Sequence, residues 1–437
     1  MTLSSEVLTE KPSESFYYGW IIVWVAFVTL GITFGIWYSY SVFILAVIKE
    51  FGWSVASASS IFSIFLLTHA VIGMAAGYLQ DRFGPQFVVP AGAVILAAGL
   101  FFTSRSQNLW QFQAAYGVLG GTGVALLGFV SHSAFLPKWF ERKRGLALGL
   151  AMAGIGLGML IMVPLAQKII STHGWRNAYL VFAGMILFVV GPLNLLLGRK
   201  NPESVHQFSD GDSSDGTARN QNTPWKMVIM DPDWASKDWD LKIASRTFRF
   251  WCLMAAFFFI SFAFQGVLLH SVAAMVDASM SKSLAAFFFG LAGIMGSVGK
   301  IIFGTLSDTL GRERSKFIAD AIALIGIICL ACIALSSGPM AVIFALCFGI
   351  GYGAAAPLIP AVTADIFMGS HFGLIFAIIG IGGGIGGAAG TYISGLLRDL
   401  TGGYSIPFSL SCLSLILSSV FIWIAAPGKV RKMKKQV

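Results

Sequence analysis

The sequence predicts an all-α membrane protein of twelve transmembrane helices arranged as two six-helix bundles, and three observations carry that reading. Hydrophobic residues make up 56% of the 437-residue chain and charged residues only 11%, about half the charge of soluble domains. The mean hydropathy is +0.79. The apolar residues also fall into runs long enough for the roughly 20 residues a bilayer-spanning helix needs, and most Lys and Arg residues fall on one of the two sides that the alternating breaks define.

The predicted spans lie near residues 17–48, 54–79, 87–104, 108–136, 145–171, 176–198, 247–277, 281–306, 315–336, 339–365, 370–397 and 403–427. Residues 1–16 are polar, and the first apolar run is too long for the core of a cleavable signal, so it reads as the first membrane helix. With the N-terminus placed in the cytoplasm, 22 of the 29 Lys and Arg residues fall on the inner side, including Arg312, Arg314 and Lys316. Six fall on the outer side, and Lys300 lies within a span. The positive-inside rule therefore predicts a multi-pass protein of the cell's inner (cytoplasmic) membrane with both termini cytoplasmic. This placement accounts for the net charge of +9 without a nucleic-acid partner. The basic tail from Lys429 to Lys435 is suited to anionic lipid heads.

The longest polar stretch divides the chain into an N-terminal bundle (1–198), a linker (199–246) and a C-terminal bundle with its tail (247–437). Ser209 to Asn222 has the composition of a disordered segment. Trp234 to Arg246 mixes indoles and aliphatics with charges, which predicts an amphipathic helix lying on the membrane surface. The halves share a short repeat, G-x-L-x-D-x-x-G, at Gly77 to Gly84 and again at Gly304 to Gly311, each at the inner end of the second helix of its half. Its glycines permit a tight turn and close helix approach. Its aspartates, Asp81 and Asp308, are placed to pair with the adjoining cations Arg82 and Arg312. The expected role of this set is a conformational latch.

The two repeats resemble the cytoplasmic loop motif of the major facilitator superfamily. Within it, Tyr18-Gly19-Trp20, Tyr116 to Gly123, Lys138-Trp139-Phe140, Arg142 to Ala147, Gly174-Trp175-Arg176 and Ala364-Asp365 are similar to the monocarboxylate porters and their oxalate:formate antiporter relatives. The resemblance implies a secondary transporter of small organic monoanions, with proton symport and anion exchange both open, and with an exporter of drugs or metabolites as the alternative. It also implies that Lys300 stands where the family carries a substrate-binding arginine. At the family's coupling aspartate and first-helix lysine, this chain has Gly296 and Tyr38.

Independently of family, Lys300 asks for an explanation, because a lysine at mid-depth costs about 2.5–3.5 kcal/mol on insertion scales. Asp277, Asp320 and Asp365 are placed near helix ends by the predicted spans, so none matches it in depth. An unpaired cation beside a water-filled cavity suits an anionic substrate. Tyr38, Tyr40, Tyr116, Gln265 and Tyr352 are candidate orienting groups, and Phe264 a candidate apolar cover. His69 and His270 are candidate proton carriers. No nucleophile–base pair, cofactor loop or metal cluster is legible, so neither an enzyme nor a cofactor is expected. A monomer is expected.

Overall fold

In lipid the backbone must satisfy its own hydrogen bonds, which turns each apolar run into a helix. A computed structural model describes residues 17–128, 132, 136, 138–140, 143–205, 207–209, 225–369 and 371–435. Helix α1 is Gly19–Phe51, α2 is Val55–Phe83 and α3 is Pro85–Arg105. Helix α4 covers residues 109–127 through a π-helical stretch, Gln113–Gly120. The continuous helix Arg144–Met185 breaks at Gly174 (φ 81°, ψ 162°), so it is taken here as α5 (144–173) and α6 (175–197). The second half contains α7 (Phe248–Asp277), α8 (Lys282–Leu310), α9 (Arg312–Ala331), α10 (Ser337–Phe367), α11 (Phe372–Thr401) and α12 (Ser405–Ala425). Nine stretches of the described residues are long and apolar enough to cross a membrane, one of them the 53-residue Gly145–Leu197. Division of that stretch at Gly174, with α4 and α9 added, gives the predicted twelve.

Within each half, glycines let helices touch backbone to backbone. On α5, a side chain at Gly154 or Gly158 would strike the carbonyls of Phe27 and Gly31 on α1. On α11, one at Gly386 or Gly390 would strike Phe258 and Phe262 on α7. Helices α8 and α10 meet the same way at Gly299 and Gly353.

Three regions differ from the sequence reading. Helix α9 starts directly after Gly311, so Lys316 and Asp320 lie inside it rather than in a loop or near an end; they form a buried ion pair, and Ser419 of α12 donates to Asp320 at 2.5 Å. In place of one amphipathic surface helix, the linker forms two single turns, Pro232–Ala235 and Leu241–Ala244. The reason is aromatic: Trp239 is buried against Phe367, Trp234 packs tilted against Trp239, and Trp234 Nε1 donates to the Ile366 carbonyl. Finally, linker strand β1 (Trp225–Ile229) pairs antiparallel with tail strand β2 (Arg431–Lys435). Residues 210–224, most of the segment read as disordered, lie outside the described residues.

Candidate functional site

Among the described residues, the two halves meet chiefly along α2–α11 and α5–α8, with α1 also touching α7, and the α2–α11 and α5–α8 contacts fall toward the end opposite the repeats. From the end opposite the repeats inward, α2 touches α11 at Ser59–Gly395, Leu66–Gly387 and Ala70–Gly384. Ser63 Oγ lies 2.8 Å from both the Ala388 carbonyl and Thr391 Oγ1. Asp399 of α11 accepts the amides of Val55 (3.0 Å) and Ala56 (2.8 Å), the first-turn donors of α2 that have no partner within their own helix. On the other side, α5 meets α8 at Leu160–Gly290, Met159–Gly293 and Gly156–Ser297. The same helix faces continue toward the repeat-bearing end through Gly73, Gly149 and Gly380, and there nothing lies within 4 Å of where a side chain would begin. Among the described residues, these helix faces are therefore sealed at one end and splayed at the end that carries the repeats.

Lys300 stands where the seal stops. It is three residues, or about 4.5 Å of rise, beyond Ser297, which touches Gly156 of α5. It is partly buried and has no acidic or hydrogen-bonding partner among the described residues. One turn earlier, Gly296 is 3.7 Å from the ring of Tyr352, measured from where its Cβ would be. The Tyr352 hydroxyl meets that of Tyr38 at 2.5 Å, a hydrogen bond from α10 to α1 across the two halves. Phe264 packs edge-on against Tyr352, with ring centroids 5.3 Å apart. Behind the tyrosine pair is a cavity of about 10 Å³, the size of one water, lined by Trp37, Tyr38 and Gln265 among others. Gln265 Oε1 is buried there without a partner among the described residues.

Of the residues singled out in the sequence, Lys300, Tyr38, Tyr352, Phe264 and Gln265 thus gather at the junction of the halves. His69 is close by, with its ring edge-on to Trp37 at 4.8 Å. Tyr40 and Tyr116 do not gather there. They stack on each other inside the first half, and Tyr40 donates to the Ala58 carbonyl. His270 is part of the seal: its Nε2 lies 3.0 Å from the Thr391 carbonyl and 3.4 Å from Ser59 Oγ.

At the repeats, Gly84 (φ 80°) and Gly311 (φ 90°) each form the whole connection to the next helix. Arg312 reaches Asp308 at 2.7 Å, Ser307 at 2.5 Å and Asp365 of α10 at 3.2 Å. That network ties the second half to itself and does not cross to the first half. In the first repeat Arg82 is exposed and reaches the Tyr78 hydroxyl at 3.2 Å. The side chain of Asp81 lies outside the described set, and Gly77 is partly buried.

A sequence model of the Major Facilitator Superfamily matches residues 25–355. The chain belongs to this superfamily. It is 27% identical over 433 residues to Monocarboxylate transporter 12 of Xenopus laevis, covering 97% of this chain and 92% of that one. It is 26% identical to Monocarboxylate transporter 13 of Rattus norvegicus, covering 94% and 89%. It is also 28% identical over 368 residues to an uncharacterized transporter of this superfamily, YcxA of Bacillus subtilis, covering 82% and 83%. A crystal structure of a bacterial homologue of the human lysosomal transporter Spinster, inward-facing and occupied, superposes with a TM-score of 0.63 at 14% identity. It covers 95% of this chain and 97% of that one, a likeness of fold.

In this major facilitator protein the sealing residues Ser63, Thr391 and Asp399 escaped the sequence reading. Asp399 carried a usable signal: an acid at a helix end, facing a neighbouring helix start whose amides need acceptors. Ser63 and Thr391 carried none, because hydroxyls inside membrane helices usually bond to their own backbone. The chain is thus a multi-pass transporter of this superfamily, and not an enzyme.

Proposed function

We propose that the chain moves small organic monoanions, monocarboxylates such as lactate, pyruvate and other 2-oxo or 2-hydroxy acids, by alternating access. The carrying observation is Lys300, a cation without an acidic partner among the described residues, located where the seal between the halves ends. A membrane-embedded charge with no protein counter-ion calls for a mobile one. Long helical side chains lean toward their helix N-terminus. On α8 that is toward the Tyr38–Tyr352 pair, so a carboxylate held by Lys300 lies against two hydroxyls able to donate to it. One cation neutralises a monocarboxylate and leaves a dicarboxylate with an uncompensated charge. The names of the relatives, monocarboxylate transporters 12 and 13, support the same substrate class.

Alternating access then has a simple physical reading. Substrate enters from the splayed end and draws α5 against α8 and α2 against α11 along the faces of Gly149, Gly73 and Gly380. The Asp399 caps and the Ser63–Thr391 contact release on the far side. By the distribution of basic residues, the splayed end is cytoplasmic. His69, one aromatic contact from the tyrosine pair, is the proposed proton carrier. His270 serves the seal.

The test is uptake of labelled lactate, pyruvate, formate, oxalate and longer 2-oxo acids into proteoliposomes, with and without an inward proton gradient. The expected result is saturable monoanion uptake, reduced at least tenfold by Lys300→Ala and largely kept by Lys300→Arg. Uptake indifferent to Lys300→Ala would overturn the reading and favour an exporter of uncharged or cationic compounds. Gradient-stimulated uptake lost in His69→Gln would establish coupling at His69, and stimulation unchanged in that variant would remove His69 from the pathway.

A further inference from the structure

We propose that the second half carries a built site for one anionic phospholipid, with its phosphate in a basic cleft at the repeat-bearing end and an acyl chain in the groove between α9 and α12. The cleft has a volume of about 240 Å³ and is lined by Arg312, Arg314, Lys429 and Arg431 against the acids Glu313 and Asp365. Both acids are engaged: Asp365 accepts from Arg312, and Glu313 accepts the amide of Gly428 at 2.7 Å. Arg431 is buried and donates to the carbonyls of Asp365, Ala364 and Ala235. That leaves Arg314 and Lys429 exposed, without a partner among the described residues. The first turn of the 20-residue α9 opens onto the same cleft, and its N-cap, Gly311, supplies no side-chain acceptor. Helix-start amides, a net positive lining and two uncommitted cations together form a phosphate cradle.

What makes the ligand a lipid is the neighbouring space. A groove of about 560 Å³ is walled by Phe317, Ala321, Leu324, Ile416 and Val420 among others, and Trp423 lines both it and the cleft. Trp423 is 54% exposed, as indoles at a membrane–water boundary are. A free anion would use only the cleft, whereas a phospholipid uses both. The β1–β2 ribbon pairs the tail with the linker and so holds Lys429 and Arg431 in place. The bound lipid would therefore bridge the tail to the start of α9, beside the Arg312 network. The site is independent of what the protein transports.

Native mass spectrometry of the full chain, delipidated and then exposed to equal phosphatidylglycerol and phosphatidylcholine, tests it. Wild type should retain phosphatidylglycerol at least threefold over phosphatidylcholine. Arg314→Glu with Lys429→Glu should abolish that preference, while Lys49→Glu with Lys168→Glu, exposed at the opposite end, should leave it unchanged. On the unaltered protein, a hundredfold excess of glycerol 3-phosphate should fail to displace the lipid. A preference that survives the Arg314/Lys429 reversal overturns the site. Displacement by glycerol 3-phosphate overturns the lipid reading in favour of a free-anion site.

Discussion

The two repeats of this chain share a backbone and differ in charge. Gly84 and Gly311 hold nearly the same conformation, φ 80° and ψ 163° against φ 90° and ψ 158°, in a region that only glycine occupies readily. Each turns one helix into the next within a single residue. Both repeats keep an aspartate, Asp81 and Asp308, and beyond the turn the halves diverge. Pro85 stands where the second half has Arg312, Val89 where it has Lys316, and Ala93 where it has Asp320. The counterpart of Lys300 is Gly73. The turn is therefore what the repeats share, and the charges of Lys300, Arg312, Lys316 and Asp320 have no counterpart in the first half. In the monoanion transport proposed above, this asymmetry divides the work: the second half holds the cation, and the first supplies a small-residue face to close over it.

The largest effect should come from the buried pair. Lys316 and Asp320 are both almost fully buried, and removal of one partner strands a charge in a low-dielectric interior. Loss of one member of such a pair costs about 3–5 kcal/mol, whereas apolar replacement of both is often neutral or stabilising. Lys316→Val alone should therefore sharply lower the thermal midpoint in detergent. Lys316→Val with Asp320→Ala, which installs the first half's own residues, should recover most of it. A double variant as unstable as the single one would mean that the pair specifies the packing of α9 on α12 and is more than a tolerated charge.

A smaller effect is expected at the turn. Arg312→Gln removes charged hydrogen bonds to Asp308 and Asp365, each contributing about 1.5–3 kcal/mol when shielded from water, and Asp308, being more exposed, counts for less. Transport should fall about tenfold while Pro85→Ala changes it less than twofold. Equal losses at both positions would show that the backbone geometry after the first turn matters as much as the Arg312 charges after the second.

Much of this was legible in the sequence. Twelve runs of apolar residues fixed the helices, because length and hydropathy leave a lipid-embedded chain few alternatives. Lys300 was legible for the same reason, since a lone cation in such a run stands out. Asp320 was misplaced because the boundary of α9 was set three residues late, and a helix that starts at Arg312 puts Asp320 about 12 Å into it. The fates of Tyr40 and Tyr116 were not legible: a tyrosine on a cavity-lining helix and one facing its own bundle differ only in helix rotation, which two weakly amphipathic, glycine-rich faces do not reveal. The β1–β2 ribbon was hidden because its partners are some two hundred residues apart and neither strand alternates clearly.

The smallest expected effect is the one in which the halves should agree. Gly84→Ala and Gly311→Ala each force a Cβ into a backbone conformation that L-residues rarely adopt, while nothing in the surroundings obstructs the new methyl at Gly311 and only the flexible stem of Lys200 approaches it at Gly84. The cost is then almost purely conformational, about 1–3 kcal/mol, and it should be the same in both halves because the turns are the same. Matched decreases in thermal midpoint, with the Arg312 network intact in Gly311→Ala, would separate the geometric content of the repeat from its charge. A loss several times larger at Gly311 would mean that the turn and the Arg312–Asp365 bond are coupled, and that the second repeat is held by its charges as much as by its glycine.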